Sequence, residues 1–374
     1  MIISIIIYFG SAVIVSLLGN YFLNNRNVYK QYWGILCVCF LLALIAAFRG
    51  ETGTDSVNYK IMFNNPNLYF IRNDVEIGFK ILMFLCRIIT SNYMFLFGVM
   101  GFLTSWFILL SIKEHKSIIS CKVSLFVFVL LFYFVTFNIM RQGLAIAMSI
   151  YAMTLYVKKR KWKAFGILII AVTFHLSAIL CIFLPIIYKI SKLKFYKELY
   201  SVIIIIALCA VFHREIILDL MNIAEKITGF PFFTSVKYTK YINNTAENNM
   251  HALIVTIIRF LPIVLICRMA LRHNTSRDHK MYVYYIIMCL GYMISLLGAL
   301  TGTQAERIGY SFIYLNILLM GAAANTKFKI GKYHFKQGIE KSLIYIITII
   351  LFAYIRLYRN YAELVPYGKG GFGG

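Results

Sequence analysis

Acidic side chains are the scarcest class in this sequence: 14 Asp and Glu among 374 residues, against 38 Lys and Arg. Charged residues of both signs make up only 14%, hydrophobic residues 61%, and the mean hydropathy is +0.77. Such a chain has too little polar surface for an ordinary water-soluble domain and reads as a polytopic membrane protein. The formal charge of +24 would suggest nucleic acid in a soluble protein. In a membrane protein it points to basic cytoplasmic loops and anionic lipid contact, so membrane lipids and no nucleic acid are the expected partners.

Other absences narrow the chemistry. No Cys-x-x-Cys pair and no cysteine–histidine spacing suggests zinc, and the eight cysteines, mostly inside apolar runs, read as helix-packing residues. There is no Walker loop, dinucleotide fingerprint, His-Glu-x-x-His or nucleophile elbow, which argues against ATP-driven transport and zinc proteolysis. No cofactor and no metal are implied. No fixed-period repeat, low-complexity block or soluble domain emerges, so residues 1–360 read as one transmembrane domain. The glycine-rich end, 361–374, reads as a flexible tail of the kind an expression vector adds. The N-terminus lacks a basic region before its apolar run and reads as a first span rather than a cleaved signal.

Topology follows from apolar runs of roughly 20 residues joined by basic inner loops. The first span, Ile2 to Leu23, runs inward to Arg26 and Lys30, and the second, Gln31 to Phe48, returns outward. Between it and the inner loop at Lys113 lie two apolar runs where parity allows one crossing. The shorter, Phe79 to Ile89, interrupted by Arg87, is expected to be a half-inserted helix. Val123 to Asn138 goes out, and the helix after Arg141 carries Gly143, Ala145, Ala147, Ser149 and Ala152, which let neighbours approach closely. Ala164 to Tyr188 lies between two inner basic loops and is too short for two crossings, since each arm reaches only about 18 Å. It is expected to be a re-entrant hairpin turning near His175, with a span at Leu199 to Phe212 after it. The expectation is an all-α protein of about ten transmembrane helices plus the hairpin and the half-inserted helix. Outer loops fall at 49–78, 213–250 and 301–309.

Four cations are not explained by inner loops: Arg49, Arg141, Arg259 and Arg307, all within spans or at their outer ends. Arginine there is costly, faces a partner or a polar cavity, and suits phosphate oxygens. The competing reading has Arg49 and Arg141 snorkelling to headgroups or pairing with Glu51, Asp55 or Glu306. His175 offers a base near neutral pH or a bond to a helix carbonyl. Asp55 offers a base or, more simply, a cap for the helix bearing Tyr59. Glu76 offers catalysis or first-turn dipole pairing.

Arg49 with Gly53-Thr54-Asp55, then Tyr59 and Phe63, Glu76-Ile77-Gly78, Asn138-Ile139-Met140-Arg141-Gln142, Phe174-His175-Leu176-Ser177 and Arg307-Ile308-Gly309-Tyr310 together resemble the EpsG family, related to Wzy-type polysaccharide polymerases of O-antigen and exopolysaccharide synthesis. Met140 departs from an Asn-Arg-Gln triplet of many members, with Asn138 two residues earlier. The resemblance implies a multi-pass enzyme of the bacterial inner membrane, with a GT-C-like helical fold and its active site on the outer face. It implies transfer of a glycan from undecaprenyl diphosphate to a second lipid-linked repeat unit, without metal. Under it, Arg49, Arg141, Arg307 and Arg259 would bind diphosphate, and His175, Asp55 or Glu76 would be catalytic. Gln142, Tyr59 and Tyr310 would contact the rest of the substrate. Lipid-linked oligosaccharide donor and acceptor are the implied partners, with a chain-length regulator as a further candidate. A flippase for the same lipid, or an acyltransferase decorating the glycan, are the alternatives.

Overall fold

The structure is a computed structural model that describes residues 2–71, 75–190, 246–273, 279–301, 305–326, 329–330, 333–334, 338–360 and 363–370. Almost all of these are helical; a two-residue ladder pairs Lys329–Ile330 with Tyr333–His334, and a single parallel bridge joins Gly50 to Lys369. Six helices are long and apolar enough to cross a membrane: Ile2–Leu23, Val28–Ala47, Tyr93–His115, Leu253–Leu271, Met281–Ala299 and Ile339–Tyr358. The count of about ten spans is thus met in part among the described residues; the expected span at 199–212 and residues 213–245 of the expected outer loop 213–250 lie outside them, and the rest of that loop belongs to the helix Ala246–His273.

Helix α1 (Ile2–Leu23) and α2 (Val28–Ala47) form a hairpin. It is started by Asn27, whose side-chain oxygen accepts from the backbone N–H of Tyr29 at 2.9 Å and so caps α2. Helix α2 packs along the helix Tyr93–His115, where a β-carbon on Gly101 would meet the Ala46 side chain at 2.7 Å. Tyr133 fastens the third side of this contact by donating to the Leu42 carbonyl at 2.5 Å. The helix Met140–Val157 is buried along nearly its whole length. Its Gly143 lies against Thr136, where a β-carbon would come within 2.7 Å, the close approach that the small residues of this helix permit. Side chains facing away from these contacts, such as Ile6, Trp33, Phe40 and Ile169, are large, apolar and exposed, as a lipid-facing surface requires.

Between Cys121 and Phe137 the expected span is one winding but irregular helix, passing from α through π (Phe128–Phe132) to 3-10 geometry (Tyr133–Phe137). The run Ile77–Ile89 is a helix of 13 residues, about 20 Å long and too short to span. The helix Lys161–Phe174 stops at His175, whose backbone is extended, and a 3-10 segment, Leu176–Phe183, packs back against it. The break falls where the hairpin was expected to turn.

Helix ends sort into two groups. One holds Leu23, whose carbonyl accepts from Lys116, together with Glu114 paired to Lys158 at 2.7 Å and to Arg160 at 2.9 Å, and His115 bonded to Tyr284. The other, at the far ends of the same helices, holds the polar stretches around residues 49–56, 138–142, 175–177 and 305–310. The last segment joins that second group. Residues 363–370 do not form the free tail their glycines suggested: Glu51 N–H donates to the Lys369 carbonyl at 2.7 Å, and Gly53 N–H to the Glu363 carbonyl at 3.1 Å. Thr52 donates to the Pro366 carbonyl at 3.1 Å and Tyr367 to the Ile45 carbonyl at 2.6 Å, while Tyr8 donates to the carbonyl of fully buried Leu364.

Candidate functional site

Two glycines shape the loop after α2. Gly50 and Gly53 have φ of 59° and 97°, a region open to glycine and strained for other residues. Their turn folds Arg49 inward, where it is 1% exposed. No carboxylate holds it among the described residues. Its guanidinium lies over Phe97 at 4.1 Å and Phe137 at 4.6 Å and touches the Met140 sulfur at 3.8 Å, while its Nε has no partner. Burial pushes its pKa down to about 10, so the group stays charged at neutral pH. Arg49 neither snorkels nor pairs: it is an enclosed cation under the 363–369 segment, whose Gly368 N–H donates to the Arg49 carbonyl at 3.2 Å.

Beside it lies the more open part of the cluster. Asp55 stands at the N-cap position of helix α3 (Ser56–Asn64), yet its side chain makes no capping bond. The capping role expected for it is therefore not what the structure has. Glu76 likewise precedes the helix Ile77–Ile89 without capping it, and its carboxylate instead accepts from Arg141 Nη1. The two side chains are 18% and 22% exposed, so this ion pair is reachable from outside. Arg141 also donates to the hydroxyl of buried Tyr59, whose pKa is raised by burial, with Arg141 acting against that shift. Glu76 is brought here because Gly78 lets its helix touch Thr173, where a β-carbon would come within 2.8 Å of the backbone oxygen.

Gln142 links the remaining parts. Its amide donates to the Arg307 carbonyl at 2.8 Å and to the Ser177 hydroxyl at 3.4 Å. His175 Nδ1 lies 2.8 Å from Ser177 Oγ and accepts from Ser177 N–H at 3.3 Å. The Nδ1 lone pair thus caps the 3-10 segment, and the ring can take a proton there only by releasing Ser177. Thr54 donates to Asn138, which ties the opening loop to the stretch before Arg141.

Arg259 and Tyr310 occupy a separate buried cluster. Arg259 Nη1 donates to Glu306 at 3.0 Å and to the Tyr310 hydroxyl at 2.8 Å, and Tyr310 donates to Glu306 at 2.6 Å. Glu306 therefore pairs with Arg259, not with Arg49 or Arg141 as the competing reading allowed. The structure brings Asp55, Tyr59, Glu76 and Arg141 together, joins Gln142, Ser177 and His175 to the Arg307 backbone carbonyl, encloses Arg49 next to them, and ties Arg259 and Tyr310 to Glu306 on the segment carrying Arg307. Sequence reasoning missed Ser177 as a partner, the 363–370 segment, and Arg356. The last was visible as a charge inside the apolar run Ile355-Arg356-Leu357. Among the described residues no group of three His, Cys, Asp or Glu side chains is placed to hold a metal ion.

A helical membrane protein with a charged, partly open cluster at one set of helix ends is the class that fold and site define. The chain belongs to the EpsG family, whose model matches residues 32–368. That is a family of Wzy-like polysaccharide polymerases, and the match runs through the segment that closes over Arg49. No curated protein matches the chain, and no solved structure does.

Proposed function

We propose that the chain is a GT-C-like glycosyltransferase that polymerises undecaprenyl-diphosphate-linked repeat units at the outer face of the inner membrane. The observation that carries this reading is the partly exposed Arg141–Glu76 pair, with Asp55, Gln142 and Arg307 beside it, at the ends of lipid-facing helices. In the reaction the acceptor hydroxyl attacks the anomeric carbon of the donor glycan. The new glycosidic C–O bond forms as the C–O bond to the lipid diphosphate breaks, and the diphosphate leaves with the electron pair.

Arg141 and Arg307 take the leaving diphosphate, because a fixed guanidinium placed where charge develops stabilises the transition state more than the ground state. Arg49, enclosed behind aromatic rings, adds positive potential from beneath and holds Met140 next to Arg141; it does not touch the substrate. Glu76 keeps Arg141 in place until phosphate oxygens compete for it. The proton of the acceptor hydroxyl goes to Asp55, which stands close to Tyr59 in the same cluster, since the His175 lone pair is engaged by Ser177. Arg259 braces the segment that carries Arg307.

Purified protein in vesicles with lipid-linked repeat unit tests this. Polymer ladders are expected with wild type, and Arg141→Ala should lower their rate about 10²- to 10³-fold, as for loss of one charge-stabilising donor. Lipid that changes leaflet without growing longer would mean a flippase, and an acylated sugar would mean an acyltransferase; either result ends the polymerase reading.

A further inference from the structure

The helix Met140–Val157, the 3-10 segment Leu176–Phe183 and the turn Ala305–Gly309 are far apart in the sequence and meet at one side chain, Gln142. Gln142 and Ser177 are both buried, at 5% and 3% exposed. The direction of each hydrogen bond around them follows from one fixed donor. A backbone N–H can only donate, so the Ser177 N–H, 3.3 Å from His175 Nδ1, places the lone pair on Nδ1 and, in the neutral ring, the proton on Nε2. The Ser177 hydroxyl, 2.8 Å from the same nitrogen, then donates to it too. Its oxygen is left to accept one N–H of Gln142 at 3.4 Å, and the other N–H of that amide goes to the Arg307 carbonyl at 2.8 Å. Both amide hydrogens of Gln142 are thus spent inside the protein.

The turn 305–309 is held from elsewhere as well. Ser295 donates to the Glu306 carbonyl at 2.7 Å, and Arg259 to the Glu306 carboxylate at 3.0 Å. Those bonds act on Glu306. The bond to the carbonyl of Arg307 itself comes from Gln142, the residue that follows Arg141 in the chain. A carbonyl deprived of its donor inside a protein shifts to find another or takes up water, so this bond ties the position of the Arg307 backbone to the helix end that carries Arg141.

We propose that Gln142 is a positioning residue that sets the Arg307 turn against Arg141, with Ser177 and His175 as the acceptors that fix the direction of its amide. Gln142 then acts on the reaction through Arg307 and not by touching the glycan, and His175 serves as the end of this relay. The proposal rests on the reading in which Arg141 and Arg307 together take the leaving diphosphate. Two cations that share one group must be placed closely relative to each other, and a misplacement of about 1 Å costs about 10²-fold in rate.

The test combines steady-state kinetics of the full chain in vesicles, with lipid-linked repeat unit, and amide hydrogen exchange read by mass spectrometry. Gln142→Met keeps the volume and removes both donors. It is expected to lower kcat about 10²-fold and to leave KM within about twofold of wild type. Ser177→Ala, the milder variant, leaves the 2.8 Å bond to Arg307 in place and should cost less. In an Arg307→Gln background Gln142→Met should add little further loss, because the two act as a unit. Exchange at residues 305–310 should quicken in Gln142→Met while exchange along 144–157 stays as in wild type. A raised KM with kcat unchanged would make Gln142 a substrate contact, and that result, fully additive losses in the double variant, or unchanged exchange at 305–310 would each overturn the proposal. Quickened exchange in a protein whose wild type forms no polymer would end the transferase reading and leave the tie between Gln142 and the Arg307 turn standing.

Discussion

At the scale of single residues, the site turns on how each charge is held. Arg141 is fixed by one carboxylate and one phenol and remains reachable, whereas Arg49 is enclosed by rings. Substitutions at the two should therefore differ in kind. Arg141→Lys keeps the charge but loses the planar fork, and is expected to cost at least about 10-fold in polymer formation with little change in Tm. Arg49→Lys loses the ring contacts as well as the fit, and should lower Tm. Retained polymer yield in Arg141→Lys alongside a fallen Tm would reverse these assignments. His175 gives a sharper comparison: with its Nδ1 on Ser177, His175→Asn should keep a local cap and retain most activity, while Asp55→Asn should not. Initial rates for the two variants, with circular dichroism to confirm folding, decide which group takes the proton.

At the scale of elements, the legible features were those with a side-chain signature. Apolar runs located the long helices, and His175 marked a break because a polar residue interrupts an otherwise continuous apolar stretch. The pairing of Arg259 with Glu306 was not legible, because it joins residues 47 positions apart through tertiary packing. Asp55 and Glu76 both sit at N-cap positions, so local rules favour capping, yet neither side chain caps its helix, and Glu76 pairs with Arg141 on another element instead. Glycine contacts were equally hidden. Gly309 faces Gly291 so closely that a β-carbon would stand 2.2 Å from the Gly291 carbonyl oxygen and 2.5 Å from the Ser295 hydroxyl. Backbone cannot yield as a side-chain tip can, so Gly309→Ala is expected to cost about 1–3 kcal/mol, or more if the 3-10 turn shifts. A thermal midpoint equal to wild type would show that the turn carrying Arg307 is looser than its packing implies.

At the scale of the whole molecule, Ser4 and Tyr8 of the first helix and residues 363–370 meet beside the Arg49 loop. The placement of segment 363–370 is not legible in the sequence because it is held mostly by backbone carbonyls and amides, which leave no trace in side-chain composition, while its glycines suggest freedom. In the fold Tyr8 near one end and Leu364 near the other are joined, and Tyr367 N–H donates to the Ser4 hydroxyl at 2.9 Å. Removing residues 363–374 would take away Leu364, whose burial stabilises by about 1.5–3 kcal/mol, and uncover the groups it packs against. It would also break hydrogen bonds worth about 0.5–1.5 kcal/mol each. The Arg49 loop would then lose its cover, water would reach the guanidinium, and the positive potential beneath Arg141 would be screened. The truncated chain is accordingly expected to unfold at lower temperature and to polymerise more slowly even below that temperature. Leu364→Ala separates the two effects, since it weakens packing while leaving every backbone bond of the segment in place. It should lower Tm with a smaller loss of rate than truncation. Faster polymerisation by the truncated protein would instead make the segment a brake on the site, and measuring both variants at one temperature below both midpoints distinguishes the two outcomes.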